Sequence, residues 1–346
     1  DRFASAQDFV RALEDEHFRY GETLVASAAA GSPGPWKWAS LVLTVIAILA
    51  TTGWAVSSRE QPRPLVRFEV SLNERRVLGT PNSGVDIAIS PDGSRIVYRG
   101  PPAAGVQSAS QLWERSMDGL VPLPITGTLG GQAPALSPDG MSVVFSGGGQ
   151  PLRVKSLSGG PSTELVTGGS NATFGADGML YYRMLGTGIV WRVPVAGGEA
   201  EAFTSEMEGV DLRYPDALPG GSGLLVTINR GDLLQSGIGV VGPEGGEVRE
   251  LFAGAMARYA ESGHIVYTAA DGTLMAARFN LGSLEVTGAP IPMLEGVLVK
   301  ATSASQFALS ETGTLVYREG AASEIGGRQL VTIDLEGNEE ALVLGP

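Results

Sequence analysis

A four-residue turn motif that recurs along the chain constrains its fold more than any other feature. The clearest copies are Ser90-Pro-Asp-Gly93 and Ser137-Pro-Asp-Gly140, and each precedes an apolar run that is typical of a strand. Weaker copies keep the glycine, so turn glycines stand at positions 93, 140, 178, 221, 263 and 313. Their intervals of 38 to 50 residues match one four-stranded propeller blade. The sequence therefore predicts an all-β fold, a β-propeller of about six four-stranded blades over residues 85–346.

A second pattern with a similar period supports this prediction. Five strand-like runs each end on a further turn glycine, at Gly119, Gly159, Gly197, Gly245 and Gly337. The chain holds 49 glycines and 21 prolines, yet 43% of its residues are hydrophobic. This composition is typical of many short strands joined by tight turns around an apolar core.

The repeated turn has a chemistry suited to chain reversal. Proline fixes φ at the second position, aspartate accepts hydrogen bonds from nearby amides, and glycine tolerates positive φ at the fourth position. The alternative role of Asp92, Asp139 and Asp177 would be calcium binding. One carboxylate per blade lacks the dense oxygen spacing of a calcium loop, so we expect a structural role.

The composition also limits the chemistry that the chain can perform. There is no cysteine, which excludes disulfides, thiolate zinc sites and cysteine nucleophiles. His17 and His264 are the only histidines, which disfavours a histidine metal cluster or a catalytic triad. A net charge of −13 argues against nucleic-acid binding. We therefore expect no cofactor, no metal and no nucleic-acid partner.

An uncharged apolar run predicts a single transmembrane helix over residues 38–58. Nineteen helical residues span about 28 Å, close to the hydrocarbon thickness of a bilayer. Trp38 and Trp54 stand near its two ends, as in an aromatic belt. A buried core helix is the alternative, but a β-repeat protein has no helical core to receive it. The mixed-charge residues before the run disfavour a cleaved signal peptide.

The remaining segments complete the predicted domain order. Ser5 to Tyr20 have helical periodicity and predict a short helix within residues 1–20, and residues 21–37 read as a Gly-, Ser- and Pro-containing linker. Residues 59–84 form a juxtamembrane segment, in which Leu65–Val70 could supply an additional closing strand. The propeller follows over residues 85–346.

The propeller repeat resembles the WD-type repeats of the TolB family, on its Ser-Pro-Asp-Gly turns and on the Leu112-Trp strand downstream. This resemblance covers residues 85–346 and implies radial four-stranded blades, with loops or a central channel available for binding. Asp1-Arg-Phe-Ala-Ser-Ala-Gln-Asp-Phe-Val-Arg-Ala-Leu13 resembles the last helix of a bacterial serine/threonine protein kinase domain. In that family the arginine at the position of Arg2 pairs with a glutamate of the activation segment. An ordinary amphipathic helix of another cytoplasmic domain is the alternative.

The order of kinase tail, linker, membrane helix and propeller resembles bacterial receptor-type serine/threonine kinases. It implies that the chain is the C-terminal part of such a kinase, with its catalytic domain upstream. The chain itself has no Gly-rich nucleotide loop, His-Arg-Asp loop or Asp-Phe-Gly motif, so it cannot transfer phosphate. The resemblance implies a single-pass protein of the inner or plasma membrane, with its N-terminus cytoplasmic and its propeller extracytoplasmic. Arg59, Arg63 and Arg67, which follow the span, favour the opposite orientation by charge counting.

A few residues are candidates for binding. Asp211 and Asp216 flank Arg213 and Tyr214 near the fourth turn, where they line either the channel or a solvated loop. Trp113 and Trp191 occupy equivalent strand positions, and we expect them to pack between blades rather than to stack on a ligand.

Three functions are compatible with these observations. The first is a sensor that binds a protein or small-molecule ligand at the propeller loops and signals across the membrane, with homodimerisation as a means of signalling. The second is a membrane-tethered scaffold for envelope protein complexes. The third, an enzyme with a site in the channel, is disfavoured by the scarcity of histidine.

Overall fold

The structure, a computed structural model, describes residues 84–103, 110–119, 121–147 and 150–320, two short strands at 331–333 and 339–341, and Thr44. The predicted helix 1–20, linker 21–37 and closing strand Leu65–Val70 lie outside these residues, as does the predicted span 38–58 apart from Thr44. None of the described residues belongs to a helix that is long and apolar enough to cross a membrane.

The first three sequence units each form a four-stranded antiparallel sheet, and consecutive strands are neighbours in each sheet. Blade 1 consists of β1 (Ile87–Ile89), β2 (Arg95–Gly100), β3 (Gln111–Ser116) and β4 (Leu123–Pro124). Blade 2 consists of β5 (Gln132–Leu136), β6 (Ser142–Gly147), β7 (Gln150–Ser156) and β8 (Ser162–Val166). Blade 3 consists of β9 (Gly169–Phe174), β10 (Met179–Met184), β11 (Val190–Pro194) and β12 (Glu201–Ala202).

Two further complete blades follow. Blade 4 consists of β13 (Asp211–Ala217), β14 (Leu224–Asn229), β15 (Gly237–Val241) and β16 (Arg249–Ala253), with 3-10 turns at Pro219–Gly221 and Leu233–Gln235. Blade 5 consists of β17 (Ala255–Ala260), β18 (His264–Thr268) and β19 (Leu274–Asn280), and both β20 (Glu285–Val286) and β21 (Ile291–Leu294) pair with β19.

The sixth unit is shorter in the part of the chain that the structure describes. It contributes β22 (Phe307–Leu309) and β23 (Leu315–Tyr317), which form a two-stranded sheet. β24 (Val331–Ile333) and β25 (Glu339–Ala341) pair with each other. Five blades are thus present, and a complete sixth blade of four strands stays a prediction.

The first strands of the units follow one another around a ring, and a single apolar cluster contains Met256 of β17 and Phe307 of β22. β1 contacts β5, β5 contacts β9, β9 contacts β13, β13 contacts β17, and β22 returns to contact β1. At this closure the sixth turn packs on the first, since the amide of Thr312 donates to the carbonyl of Pro91 at 3.3 Å. The chain is therefore an all-β propeller, as the turn spacing predicts.

The apolar core is divided into layers between neighbouring blades. One cluster joins blades 1 and 2 through Val97 and Phe145, and similar clusters join blades 2 and 3, 3 and 4, and 4 and 5. The largest joins blade 5, the sixth unit and blade 1, and contains the fully buried Phe307. Burial between blades, rather than within one, holds the ring together.

The repeated turn has the structural role that its chemistry predicts. All six turn glycines have positive φ, between 67° and 87°, and Gly221 ends a 3-10 turn. In the first turn, Gly93 N donates to Ser90 O at 2.8 Å. Asp92 accepts from the Ser90 hydroxyl and from the Ser94 amide and hydroxyl, and these hydrogen bonds lower the pKa of Asp92 to about 2. Its oxygens are thus used within the turn.

The two equivalent tryptophans pack between blades, as predicted. Trp113 is buried in the cluster that joins blade 1 to the sixth unit, and its Nε1 donates to Pro101 O at 2.9 Å. Trp191 packs against the cluster that joins blades 2 and 3.

Candidate functional site

The two ends of the ring differ in character. Within each blade the Ser-Pro-Asp-Gly type of turn joins the first strand to the second, so all six turns lie at one end of the ring, the turn end. The first strands begin, and the second strands finish, at the opposite end. A cavity of about 240 Å³ lies at that opposite end, which we call the cavity end.

Blades 2, 3 and 4 supply most of the cavity wall, through residues at the starts of first strands and the ends of second strands. These are Gln132, Ala133, Ser146, Gly147, Gly169, Ser170, Asn171, Arg183, Leu185, Arg213 and Tyr214, and Gly84 and Thr302 complete the wall. Among the residues that the structure describes, the wall contains no acidic residue, although the chain has a net charge of −13. Arg183 and Arg213 are the only charged residues in this described wall.

A β-bulge at the same position of four blades shapes the inner surface. In β5, β9, β13 and β17 two residues stand opposite one residue of the neighbouring strand. The first bulge residue has a left-handed backbone, with φ between 42° and 49°, and is Ala133, Asn171, Tyr214 or Met256. Non-glycine residues seldom adopt this conformation, and bulges often redirect side chains beside functional sites. Three of these four residues line the cavity.

A loop of residues 300–305, the channel loop, crosses the cavity end and is fixed by side chains of three blades. Lys300 Nζ donates to Gly84 O (2.9 Å) and to Asp86 Oδ2 (2.6 Å) in blade 1. The Tyr214 hydroxyl donates to Thr302 O at 3.1 Å. Ser303 is hydrogen-bonded to Asn229 and Ser236, also in blade 4, and Ser305 to Thr268 in blade 5. Thr302 of the channel loop lines the cavity.

Two arginines share one carboxylate behind the cavity wall. Arg183 donates to Asp211 through Nε and Nη2, each at 2.6 Å, and Arg213 Nε donates to the same carboxylate at 2.7 Å. Burial opposes the ionisation of Asp211, but the bonds from Arg183 and Arg213 outweigh it and lower the pKa of Asp211. We call Arg183, Arg213 and Asp211 together the arginine pair. Its two cations and one anion give it a net charge of +1.

The structure therefore brings three of the four predicted residues together. Arg213 and Tyr214 line the cavity, and Asp211 lies directly behind them. Asp216 is placed elsewhere, because it accepts from the amide of Tyr259 at 2.9 Å and lies 3.5 Å from Arg258. Burial raises the pKa of Asp216 despite that arginine. Its contacts join blade 4 to blade 5.

A second buried group of charges lies next to the channel loop. Asp86 contacts Lys300 at 2.6 Å and Arg99 at 3.5 Å, and Asp86 and Arg99 are both fully buried. Burial raises the pKa of Asp86 and lowers the pKa of Lys300, against their mutual attraction. This group closes the ring between residues that are 214 positions apart.

The sequence interpretation missed Arg183, Arg99 and Lys300. A usable signal exists for the two arginines, because the second strand ends on Tyr-Arg in three units, at Arg99, Arg183 and Arg318. Lys300 carries no such signal, since it lies in an irregular loop.

Other chemistry is not apparent in the described part of the chain. No group of three or more His, Asp or Glu side chains there is arranged to hold a metal ion. His264 begins β18, which places it at the turn end, away from the cavity.

Comparisons with known proteins agree with the fold. The chain matches no protein-family model and no curated protein. It is similar in structure to putative TolB from Agrobacterium tumefaciens, with 23% identity and a TM-score of 0.43 over 49% of this chain and 67% of that chain. TolB from Acinetobacter baumannii is 15% identical, with a TM-score of 0.47 over 64% of this chain and 55% of that chain. A streptogramin B lyase is 15% identical, with a TM-score of 0.49 over 78% of this chain and 86% of that chain.

This chain is thus a β-propeller that is structurally similar to TolB and to other propellers, lyases among them. At these identities and TM-scores the likeness describes the fold alone.

Proposed function

We propose that this chain is a ligand-binding module, and that its ligand binds in the cavity at the cavity end of the ring. The observation that carries this proposal is the cavity wall, where left-handed bulges and two arginines converge in a recess whose described residues carry only positive charge. A rigid ring that presents a recess of variable side chains is suited to binding. The wall residues come from different blades, so the ring positions them without help from the ligand.

We further propose that the module is the sensor of a membrane-anchored serine/threonine protein kinase. The support comes from residues 1–13, which resemble the last helix of such a kinase, and from the apolar run at 38–58. The catalytic domain would belong to the longer parent protein. Ligand binding would be reported through the membrane helix, with dimerisation of the parent as the simplest means.

Filling the cavity tests the sensor role. Ser170→Phe places a large side chain in the cavity wall, and we expect it to abolish the ligand-dependent change in autophosphorylation of the full-length parent kinase in its own cells. Ser158→Phe is the matched control, because Ser158 is exposed at the turn end. Phosphorylation that responds normally in a folded Ser170→Phe protein would contradict the sensor role.

The alternative is a membrane-tethered scaffold for envelope protein complexes. It is favoured if Ser170→Phe leaves phosphorylation unchanged while deletion of the propeller releases a co-purifying envelope protein.

Orientation is a separate proposal, with the propeller on the extracytoplasmic side. A reporter enzyme that is active only outside the cytoplasm, fused after Pro346, should be active, and a fluorescent protein that matures only in the cytoplasm should stay dark at the same position. The reverse pair of results would place the propeller in the cytoplasm, as Arg59, Arg63 and Arg67 suggest by charge counting.

A further inference from the structure

The cavity wall has a specific chemical character that indicates a class of ligand. We propose that the cavity binds the carboxylate group of a small organic acid, a proposal that deepens the binding role above and depends on it. The acid's two oxygens would accept N–H groups of Arg183 and Arg213, and its uncharged body would lie against Leu185 and Tyr214.

The first support is the orientation of the arginine pair. Arg183 and Arg213 are among the residues that line the cavity, and Asp211 is not. Asp211 occupies Nε and Nη2 of Arg183, and the Nη1 donors of Arg183 have no partner within the part of the chain that the structure describes. A guanidinium carries five N–H donors in a planar fork that matches a carboxylate. Arg213 also donates through Nη1 to Thr302 O at 3.3 Å. The Nη1 donors of Arg183 are therefore the clearest ones left for a second carboxylate.

The second support is a buried hydroxyl in the same wall. Ser170 lines the cavity, and its Oγ is buried without a hydrogen-bond partner in the described structure. A buried polar atom without a partner is costly and calls for an explanation. Rotation about χ1 of Ser170 would turn this hydroxyl toward a ligand oxygen in the cavity and satisfy it.

The charge of the arginine pair and the size of the cavity narrow the class of ligand. The arginine pair has a net charge of +1, which one carboxylate neutralises, whereas a phosphate monoester carries about −1.5 to −2 at neutral pH. The cavity of about 240 Å³ lies below the usual range for drug-sized ligands, roughly 300–1,000 Å³. Leu185, which is partly exposed, and the ring of Tyr214 supply apolar contact. A short aliphatic acid fits these limits.

Calorimetric titration of the whole chain with isovalerate tests the proposal, with isovaleramide as the neutral isostere and inorganic phosphate as a second anion. We expect isovalerate to bind with a Kd of about 1 mM or tighter, because a ligand of this size reaches that affinity with an ordinary binding free energy per non-hydrogen atom. The amide and phosphate should each bind at least about tenfold more weakly. Equal binding of acid and amide, or tighter binding of phosphate, would overturn the proposal.

Two variants locate the site. Arg183→Gln should weaken isovalerate binding by about tenfold to a hundredfold, as expected for a charge-assisted hydrogen bond. Ser170→Ala, a small change that keeps the fold, should weaken it by about two- to tenfold. Arg192→Gln is the matched control, because Arg192 pairs with Glu201 on the outer strands of the same blade. If neither Arg183→Gln nor Ser170→Ala alters the Kd, the acid does not bind in this cavity.

Different results would overturn the two proposals. If the wild-type chain does not bind isovalerate, the carboxylate proposal is wrong, but the result expected for Ser170→Phe in the test of the sensor role does not change. An unchanged phosphorylation response in Ser170→Phe, together with normal isovalerate binding by the wild-type chain, would leave a carboxylate site without a role in signalling.

Discussion

Phe307→Ala is expected to lower the free energy of unfolding by about 3–5 kcal/mol, the usual cost of truncating a buried phenylalanine. Phe307 begins β22 and is fully buried in the cluster that joins blade 5, the sixth unit and blade 1. Its cluster also contains Ile87 of β1 and Met256 of β17, so Phe307 contributes to the closure of the ring. Removal of the phenyl group would leave an empty space in this cluster. The space would remain, because its neighbours belong to three different units and cannot all move in to fill it.

Denaturant unfolding of the whole chain, followed by tryptophan fluorescence, measures this effect. Leu234→Ala is the control, because Leu234 is 75% exposed and its truncation should cost less than about 0.5 kcal/mol. A loss below about 1 kcal/mol for Phe307→Ala would show that the closure does not depend on this side chain.

Asp211→Asn is expected to cost about 3 kcal/mol at neutral pH. The substitution removes the only negative charge of the arginine pair and leaves two partly buried guanidinium groups side by side. Glu201→Gln is the matched control, because Glu201 pairs with Arg192 in a bridge that is more than half exposed on the glutamate side. Such a surface pair should contribute at most about 1 kcal/mol. Equal losses in the two variants would contradict a stabilising role of the buried carboxylate.

The pH dependence of the same variant follows from the lowered pKa of Asp211. A carboxyl whose pKa is lower in the folded state contributes stability above its unfolded pKa, about 3.9, and loses it as the pH falls through the folded value. The difference in unfolding free energy between wild type and Asp211→Asn should therefore be constant near neutrality and shrink below about pH 4. A difference that does not change in acid would show that the pKa of Asp211 is not lowered by folding.

The sequence alone predicts the blades because their signal is local. The turn needs positive φ at one residue and hydrogen bonds that span two or three residues, as between Ser90 and Asp92 and between Gly93 and Ser90. Any chain segment with those residues makes the turn, so its spacing counts the units. The packing of Trp113 and Trp191 follows in the same way, because equivalent positions in a repeat meet equivalent neighbours.

The candidate site is predicted only in part. The position near the fourth turn predicts Asp211, Arg213 and Tyr214 as candidates, and the structure brings these three together. Asp216 is their neighbour in sequence, yet the bulge at Tyr214 sets it toward blade 5. Arg183 was missed because its role depends on Asp211, which is 28 residues away on the next blade.

The repeated turn determined, by itself, that this chain forms a propeller and roughly how many units it has. Tertiary structure decided which side chains meet at the cavity end, since these come from three blades and from a loop that reaches across the ring. It also decided their charge balance: Asp211 lies behind two arginines, and Lys300 reaches Asp86 across 214 positions. The physical reason is distance along the chain. Turn chemistry acts within a few residues, whereas burial and ion pairing act between any residues that ring closure brings together.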